Sequence, residues 1–352
     1  MILKTIFSFA ASIIRIFFIL FFINCSSIAE ENIKYHPDDH GVVSIMYHRF
    51  NENKYPSTNI EMKVFEEQIK IIKDSGFDFY DPKNFEKNFS QIKKDKKILL
   101  TIDDAFKSFY EYAWPYLKKE KIPFILFVST EPTNKYGYMS WDEIREVEKE
   151  SFAYIGNHSH SHEYLINFEH ENFIKDIDKS IKIFEKELGY NPIFFSYPFG
   201  EYSLKQKKYI MTKFKFAFGQ HSGVIDLNKD KYELPRFPIN EKYGDLERFK
   251  FLINLNPLEY NSVSVVDKYI LLNNNPPKLS IKFFNDQKNI NNINCYSNEG
   301  DDWDKTRIEY SDNTLNVYFK EKFKFRRGRL NCSLKDDIGW RWLGLQFTIQ
   351  VK

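Results

Sequence analysis

Two short segments carry residues whose types and spacing can do chemistry. The first is Thr101-Ile102-Asp103-Asp104 and the second is His158-Ser159-His160-Ser161-His162. Each follows directly on a run that reads as a buried strand. One Asp and two His make a three-ligand site that keeps positions open for water and substrate, the pattern of a catalytic rather than a structural cation. A second Asp is left over to take a proton. Such a site activates water, so the chemistry expected is metal-assisted hydrolysis. Residues four apart share a helical face, so His158 and His162 meet one cation if the loop turns helically between them, with His160 pointing elsewhere. Neighbouring side chains on a continuing strand point to opposite faces, so Asp103 and Asp104 share a cavity only if the strand stops there. Alone, an Asp-Asp pair reads first as a turn or cap; three histidines in five residues rarely serve as core packing, the alternative being a solvated loop.

The elements that must position these residues alternate between short β-rich runs and helical stretches. Strands are expected at 42–47, 98–102, 123–128, 152–155 and 193–197, with weaker ones at 216–218 and 234–237. Apolar spacing predicts helices over 62–75 and 173–188, stopped by Gly76 and Gly189, and Ser140 with Glu143 forms a capping box for another at 141–149. Gly156-Asn157 is read as a sharp turn out of the strand into the histidines. Alternation of this kind gives an α/β chain with a parallel sheet or barrel, whose site lies at the C-terminal ends of the strands. Asp103, Asp104, His158, His162, Tyr197 and His221 all fall there. Beyond about Pro257 helical periodicity is lost and short alternating runs follow at 278–283, 315–319 and 343–349, which predicts a small antiparallel β-sandwich.

The formal charge of +2, from 51 Lys and Arg against 49 Asp and Glu, gives no global field for nucleic acid. The first residues read as a targeting segment. Lys4 and Arg15 precede the apolar run 16–23, and Ser27-Ile28-Ala29 supplies small residues for cleavage, giving a signal peptide at 1–29. An uncleaved anchor, and so membrane association, is the alternative. Cys25 stands near a lipoprotein position, but Asn24 before it is bulkier than that signal accepts. Cleavage leaves Cys295 and Cys332, which an oxidising compartment would join in one disulfide; otherwise they are two buried thiols.

Taken together, these motifs resemble the polysaccharide deacetylases of carbohydrate esterase family 4, the NodB-homology fold, from about Ile45 to Ile239. Thr101-Ile102-Asp103-Asp104 looks like the family's first motif and Gly156 to His162 like its second. The resemblance implies a distorted (β/α) barrel over 38–256, followed by the sandwich at 258–352. It implies Asp103 as catalytic base and Asp104, His158 and His162 as ligands of a divalent metal, zinc by default, with cobalt, nickel or iron also suited. It implies an N-acetylated, exported or cell-wall polysaccharide as substrate, O-acetyl esters being the easier chemistry, and a periplasmic or cell-envelope location. Ser196-Tyr197-Pro198-Phe199-Gly200 is similar to the third motif but lacks its arginine. Tyr197 and Pro198 are expected to bind substrate, with the Tyr197 N–H available to an oxyanion. Arg236 is expected to pair with Asp103 in place of the missing arginine or to contact substrate, a surface salt bridge being the alternative. The Met46-Tyr47-His48-Arg49-Phe50 opening is closer to the branch acting on poly-N-acetylglucosamine.

The family's late histidine motif is not evident, so His48 and His221 are both candidates for the general acid. Trp340 and Trp342 share one face of a strand, as core or as a sugar platform, and Trp303 is a further candidate. Two rival readings stay open. A glycoside hydrolase needs two separated carboxylates and leaves the histidines unexplained. A non-catalytic glycan-binding protein with a relic site would fit the altered third motif.

Overall fold

The computed structural model describes residues 41–88, 97–226, 230–284, 287 and 289–351. The expected signal peptide and its cleavage site lie outside the described residues. Among the described residues no helix is long and apolar enough to cross a membrane.

The strands that precede the two motifs belong to one nine-stranded sheet. In chain order its main strands are β1 (Val42–Tyr47), β2 (Lys97–Ile102), β3 (Phe124–Val128), β4 (Ala153–Asn157), β5 (Phe194–Ser196), β6 (Phe216–Phe218), β7 (Val224–Ile225) and β8 (Phe237–Pro238). The spatial order is β7-β1-β2-β3-β4-β5-β6, with β8 also paired to β1. All these pairs are parallel except β7 with β1. The runs of Val, Ile, Leu and Phe that carry β1 and β3 are buried at every position, as strands covered on both faces require. Helices α1 (Met62–Asp74), α2 (Trp114–Glu120), α3 (Trp141–Glu148), α4 (His170–Leu188), α5 (Leu204–Lys213) and α6 (Leu246–Ile253) complete this part. The capping box at Ser140 and Glu143 is formed, and Gly189 ends α4 in the left-handed conformation.

Alternation along the strands sorts their side chains. Ile98, Leu100, Ile102, Phe124, Leu126 and Val128 face one apolar cluster with α1 and α3. Leu99, Ile125, Phe127, Phe194, Phe216 and Phe218 form a second, aromatic cluster on the other face. The sheet is strongly curled, in keeping with the expected distorted barrel: residues 234–238 run from a bridge with Phe218 of β6 to the pairing of β8 with β1. Flat, β2 and β5 would lie about 14 Å apart, three spacings of 4.7–4.9 Å. Yet one nitrogen of Arg236 bonds both Asp103, just after β2, and Ser196 at the end of β5, at 2.9 and 2.8 Å. The ends of those strands are bent toward each other around it.

From Asn256 the chain forms only short helical turns and strands. They include β9 (Leu279–Lys282), β10 (Asn294–Asn298), β11 (Arg307–Ser311), β12 (Thr314–Tyr318), β13 (Arg327–Lys335) and β14 (Trp340–Ile349). β14, β13 and β10 pair antiparallel within a six-stranded sheet, and β9, β12 and β11 within a four-stranded one. Ile281, Leu315 and Val317 of the smaller sheet share an apolar cluster with Leu330, Leu343, Leu345 and Phe347 of the larger. Cys295 and Cys332 face each other across β10 and β13 and are joined by a disulfide.

Candidate metal and catalytic site

Strand β2 stops at Ile102, and the next residues leave it by a turn in which Asp104 and Ala105 have φ of 75° and 52°. This left-handed geometry, uncommon for residues with a Cβ, puts Asp104 on the cavity with Asp103 buried beside it. Asp103 and Asp104 are both buried. The second segment does not turn helically, contrary to the sequence expectation. It is an irregular loop in which Ser159 and His162 have φ of 69° and 54°. Its backbone is tied down by side chains. Asn157 Oδ1 accepts from the Ser159 N–H, and Ser159 Oγ from that of His162. The two oxygens of Asp176, on α4, accept from the N–H groups of His160 and Ser161 at 2.9 and 3.1 Å. His160 turns away to Thr130. Gly156 is not a turn residue either. It lies within β4, where a Cβ would stand 2.4 Å from the Phe127 ring.

The loop brings His158 and His162 to Asp104. One ligand atom from each of the three lies within 4.8 Å of the others. Asp104 Oδ1 is 3.4 Å from His158 Nε2 and 3.0 Å from His162 Nε2. His158 Nδ1 is 2.7 Å from the Ser196 carbonyl oxygen, which can only accept, so Nδ1 carries the proton and Nε2 presents its lone pair to the cavity. Asp104 Oδ1 and His158 Nε2 are buried yet satisfied by no hydrogen bond of good geometry. Buried polar atoms in that state are costly, and a divalent cation would satisfy both. The donor set of one carboxylate and two imidazoles fits such an ion.

Asp103 stands beside this triad, its Oδ2 3.8 Å from His158 Nε2. Arg236, which immediately precedes β8, clamps it with two bonds of 2.6 and 2.9 Å. The same guanidinium donates to Gly219 O, Thr101 Oγ1 and Ser196 Oγ, between the rings of Phe127 and Phe218. Burial alone would push the Asp103 carboxyl up, but Arg236 and His158 outweigh it and hold the group below its usual range. Arg236 is wholly buried, so it does not reach a polymer as the substrate-binding expectation required.

Tyr197 and Pro198 are buried as well, and the Tyr197 N–H is spent on Phe218 O, which removes it as an oxyanion donor. The residue of that motif that lines the cavity is Phe199, whose φ of 59° swings its ring over His162 and Tyr164. His48 and His221 both line the same cavity, of about 640 Å³. His48 is the one under the influence of Asp103 and Asp104; burial lowers its pKa and those carboxylates oppose the shift. His221 acts electrostatically on Glu233.

The C-terminal strands form part of the cavity wall. Trp303, Arg327, Arg329 and Trp342 line it together with Asp104 and His162. Trp342 donates its indole N–H to Ser222 Oγ, and Gln346 donates to the carbonyls of Phe199 and Gly200. A Cβ on Gly344 would meet the Ser222 carbonyl oxygen at 2.2 Å, so glycine is required for this approach. Trp340 and Trp342 do share a face of β14, Trp340 exposed and Trp342 half-buried against the apolar core.

Sequence reasoning missed Asp176 and Phe199. Asp176 had a signal: it sits on the apolar face of α4, three residues after buried Phe173 and next to buried Ile177. A carboxylate in that position needs partners.

Residues 90–217 match the family model described as polysaccharide deacetylase. Among curated proteins, the chain is 23% identical over 199 residues to a putative polysaccharide deacetylase, YxkH, of Bacillus subtilis (strain 168), covering 56% of this chain and 70% of that protein. It is 24% identical over 214 residues to a poly-beta-1,6-N-acetyl-D-glucosamine N-deacetylase of Staphylococcus aureus (strain N315), covering 56% and 73%. Among solved structures, IcaB from Ammonifex degensii superposes with a TM-score of 0.55 at 22% identity, over 61% of this chain and 98% of that one. Deacetylase PplD of Streptococcus pyogenes superposes at 0.54 and 21%, over 59% and 96%. These structures share the fold, residues 90–217 match the polysaccharide deacetylase family, and the named relatives support a deacetylase activity.

Proposed function

We propose that the protein is a metal-dependent deacetylase that removes N-acetyl groups from an exported polysaccharide, releasing acetate. The observation that carries this reading is the pair of buried, unsatisfied ligand atoms on Asp104 and His158, set beside a separate carboxylate clamped by Arg236. Asp104, His158 and His162 are the residues that would hold a divalent cation, zinc by the chemistry of the donors. When bound there, such an ion lowers the pKa of a water and polarises the acetyl carbonyl.

The chain's own groups do the rest. Arg236 keeps Asp103 ionised and fixes its plane, so Asp103 takes the proton of the attacking water. His48, facing the same cavity, is placed to protonate the departing amine; burial disfavours its charged form, and the carboxylates of Asp103 and Asp104 offset part of that cost. Arg236 thus stands in for the arginine absent from the third motif, as a positioning residue under the base. Phe199 and the tryptophans of the cavity wall supply apolar surface for sugar rings. The relatives' names, and the leader expected at 1–29, support an exported or cell-envelope glycan as substrate. We also divide the chain into a catalytic domain at 38–256 and a β-sandwich at 258–352, on the change to β structure near Pro257.

Metal analysis combined with acetate release from N-acetylated glycans tests the reading. Asp103→Asn is expected to cut turnover by about 10²–10⁴-fold while the metal stays bound. His158→Ala is expected to lose metal and activity together. Loss of metal in Asp103→Asn, or metal retention in His158→Ala, would show that the roles are divided wrongly.

A further inference from the structure

The cavity that holds the site is unevenly charged. Among its described lining residues Asp104 is the sole carboxylate, whereas Arg248, Arg327 and Arg329 all border it. Arg327 and Arg329 are two apart on β13, on the half-buried face that also bears Asn331. Arg248 lies 5.1 Å from the centre of the Tyr243 ring and donates to the Tyr243 carbonyl. Arg329 donates to Gln346 Oε1. Both partners are neutral, and among the described residues neither arginine forms an ion pair. Arg327 is 3.6 Å from Glu201, but that carboxylate is already held by Arg326 at 2.8 and 3.0 Å. Positive charge is therefore left over on the wall facing the catalytic groups.

Leaving like charges together in a half-buried wall is unfavourable. Burial and the neighbouring Arg327 both press Arg329 toward its neutral form, and an anion would relieve that. Guanidinium groups recognise carboxylate and phosphate oxygens through paired N–H donors. Trp303 and Trp342 flank the same space with flat apolar surface suited to a sugar ring.

We propose that Arg329, Arg327 and Arg248, with Trp303 and Trp342, form an anion-recognising subsite, so that the substrate is an acidic glycan bearing a carboxylate or phosphate close to the acetylated sugar. This rests on the deacetylase reading and narrows it. A neutral homopolymer of N-acetylhexosamine would leave the arginines without a charged partner. Its deacetylated product, which carries ammonium groups, would be repelled by them.

The test uses the full metal-loaded chain and three N-acetylated oligosaccharides of equal length: one neutral, one alternating with hexuronate, and one bearing phosphate. Binding is read by tryptophan fluorescence, and acetate release is followed in parallel. At low salt an acidic oligomer is expected to bind roughly tenfold tighter than the neutral one, because hydrogen bonds to charged groups are the stronger kind. That preference should shrink as NaCl is raised. Arg329→Gln and Arg327→Gln should each cut the ratio of acidic to neutral affinity by roughly threefold or more. The hexuronate and phosphate arms distinguish which anion the wall takes. Equal binding of all three oligomers by the wild type, or a ratio unmoved by salt and by both substitutions, overturns the subsite. Acidic preference without acetate release from any oligomer supports the subsite and counts against the deacetylase reading. Acetate release with no acidic preference does the reverse.

Discussion

At the scale of single residues the site is held together by groups that never touch a substrate. Asp176 is the clearest case. Its carboxylate takes two N–H groups of the loop between His158 and His162, and so sets the distance between those imidazoles. Asp176→Ala leaves the buried His160 N–H and the half-buried Ser161 N–H unmatched, at a cost of about 1–3 kcal/mol for each that water does not reach. Metal affinity should fall by about 10–100-fold, the range seen when outer supports of a site are removed. Asp176→Asn, which keeps one acceptor, should retain part of that affinity. Metal titration of both variants checks this, and an unchanged dissociation constant in Asp176→Ala would remove the residue from the site's support. The four chemical side chains were legible only jointly, because an Asp pair that alone reads as a turn or cap gains a ligand role once two histidines follow another buried strand. The pairing of Arg236 with Asp103 was legible only as one option, since 133 positions separate them and nothing local encodes the meeting.

At the scale of elements, periodicity located what it could. The helices at Met62–Asp74 and Trp141–Glu148 and the strands before each motif appear within a few residues of their expected bounds. The histidine loop escaped because its course depends on hydrogen bonds from Asn157, Ser159 and Asp176 rather than on any repeating pattern. The curl of the sheet was expected from the family resemblance and not from any local pattern, because it is set by packing across strands, as in the Phe-rich cluster behind Arg236. A second polar junction joins three elements: α5, the turn at 230–233 and the short strand at Tyr269–Ile270. Glu233 accepts from Tyr202 Oη at 2.7 Å and Lys207 Nζ at 3.1 Å. Burial would raise its carboxyl, but Lys268 and Lys207 overcome this and hold it at about 2. A depressed folded pKa contributes stability above the unfolded value of about 4.3. That contribution is lost as pH falls toward 2. Glu233→Gln should therefore be less stable than wild type at neutral pH, by on the order of 3 kcal/mol. The gap should narrow between pH 4.5 and 2. Melting temperatures across that range check it; a gap independent of pH would show that the carboxylate's charge contributes nothing.

At the scale of the whole molecule the C-terminal sheets share in the site. The residues beyond Asn256 supply one wall of the cavity and meet the loops at 199–200 and 219–223 through Trp342, Gln346 and Gly344. Their internal brace is Cys295–Cys332, which closes 37 residues of chain between two paired strands. On a chain-entropy account a crosslink of that span contributes about 3–4 kcal/mol. Reduction should lower the melting temperature and loosen the wall before it disturbs β1–β4, which hydrogen exchange can follow strand by strand. Retention of full protection in β13 and β14 after reduction would contradict this. The seam at Gly344 has a further consequence for how such a protein can diversify. A binding module on a flexible tether can be exchanged for another without regard to its host. Here backbone meets backbone with no room for a methyl group, so a transplant of the β region into a related chain must bring the 219–223 loop with it.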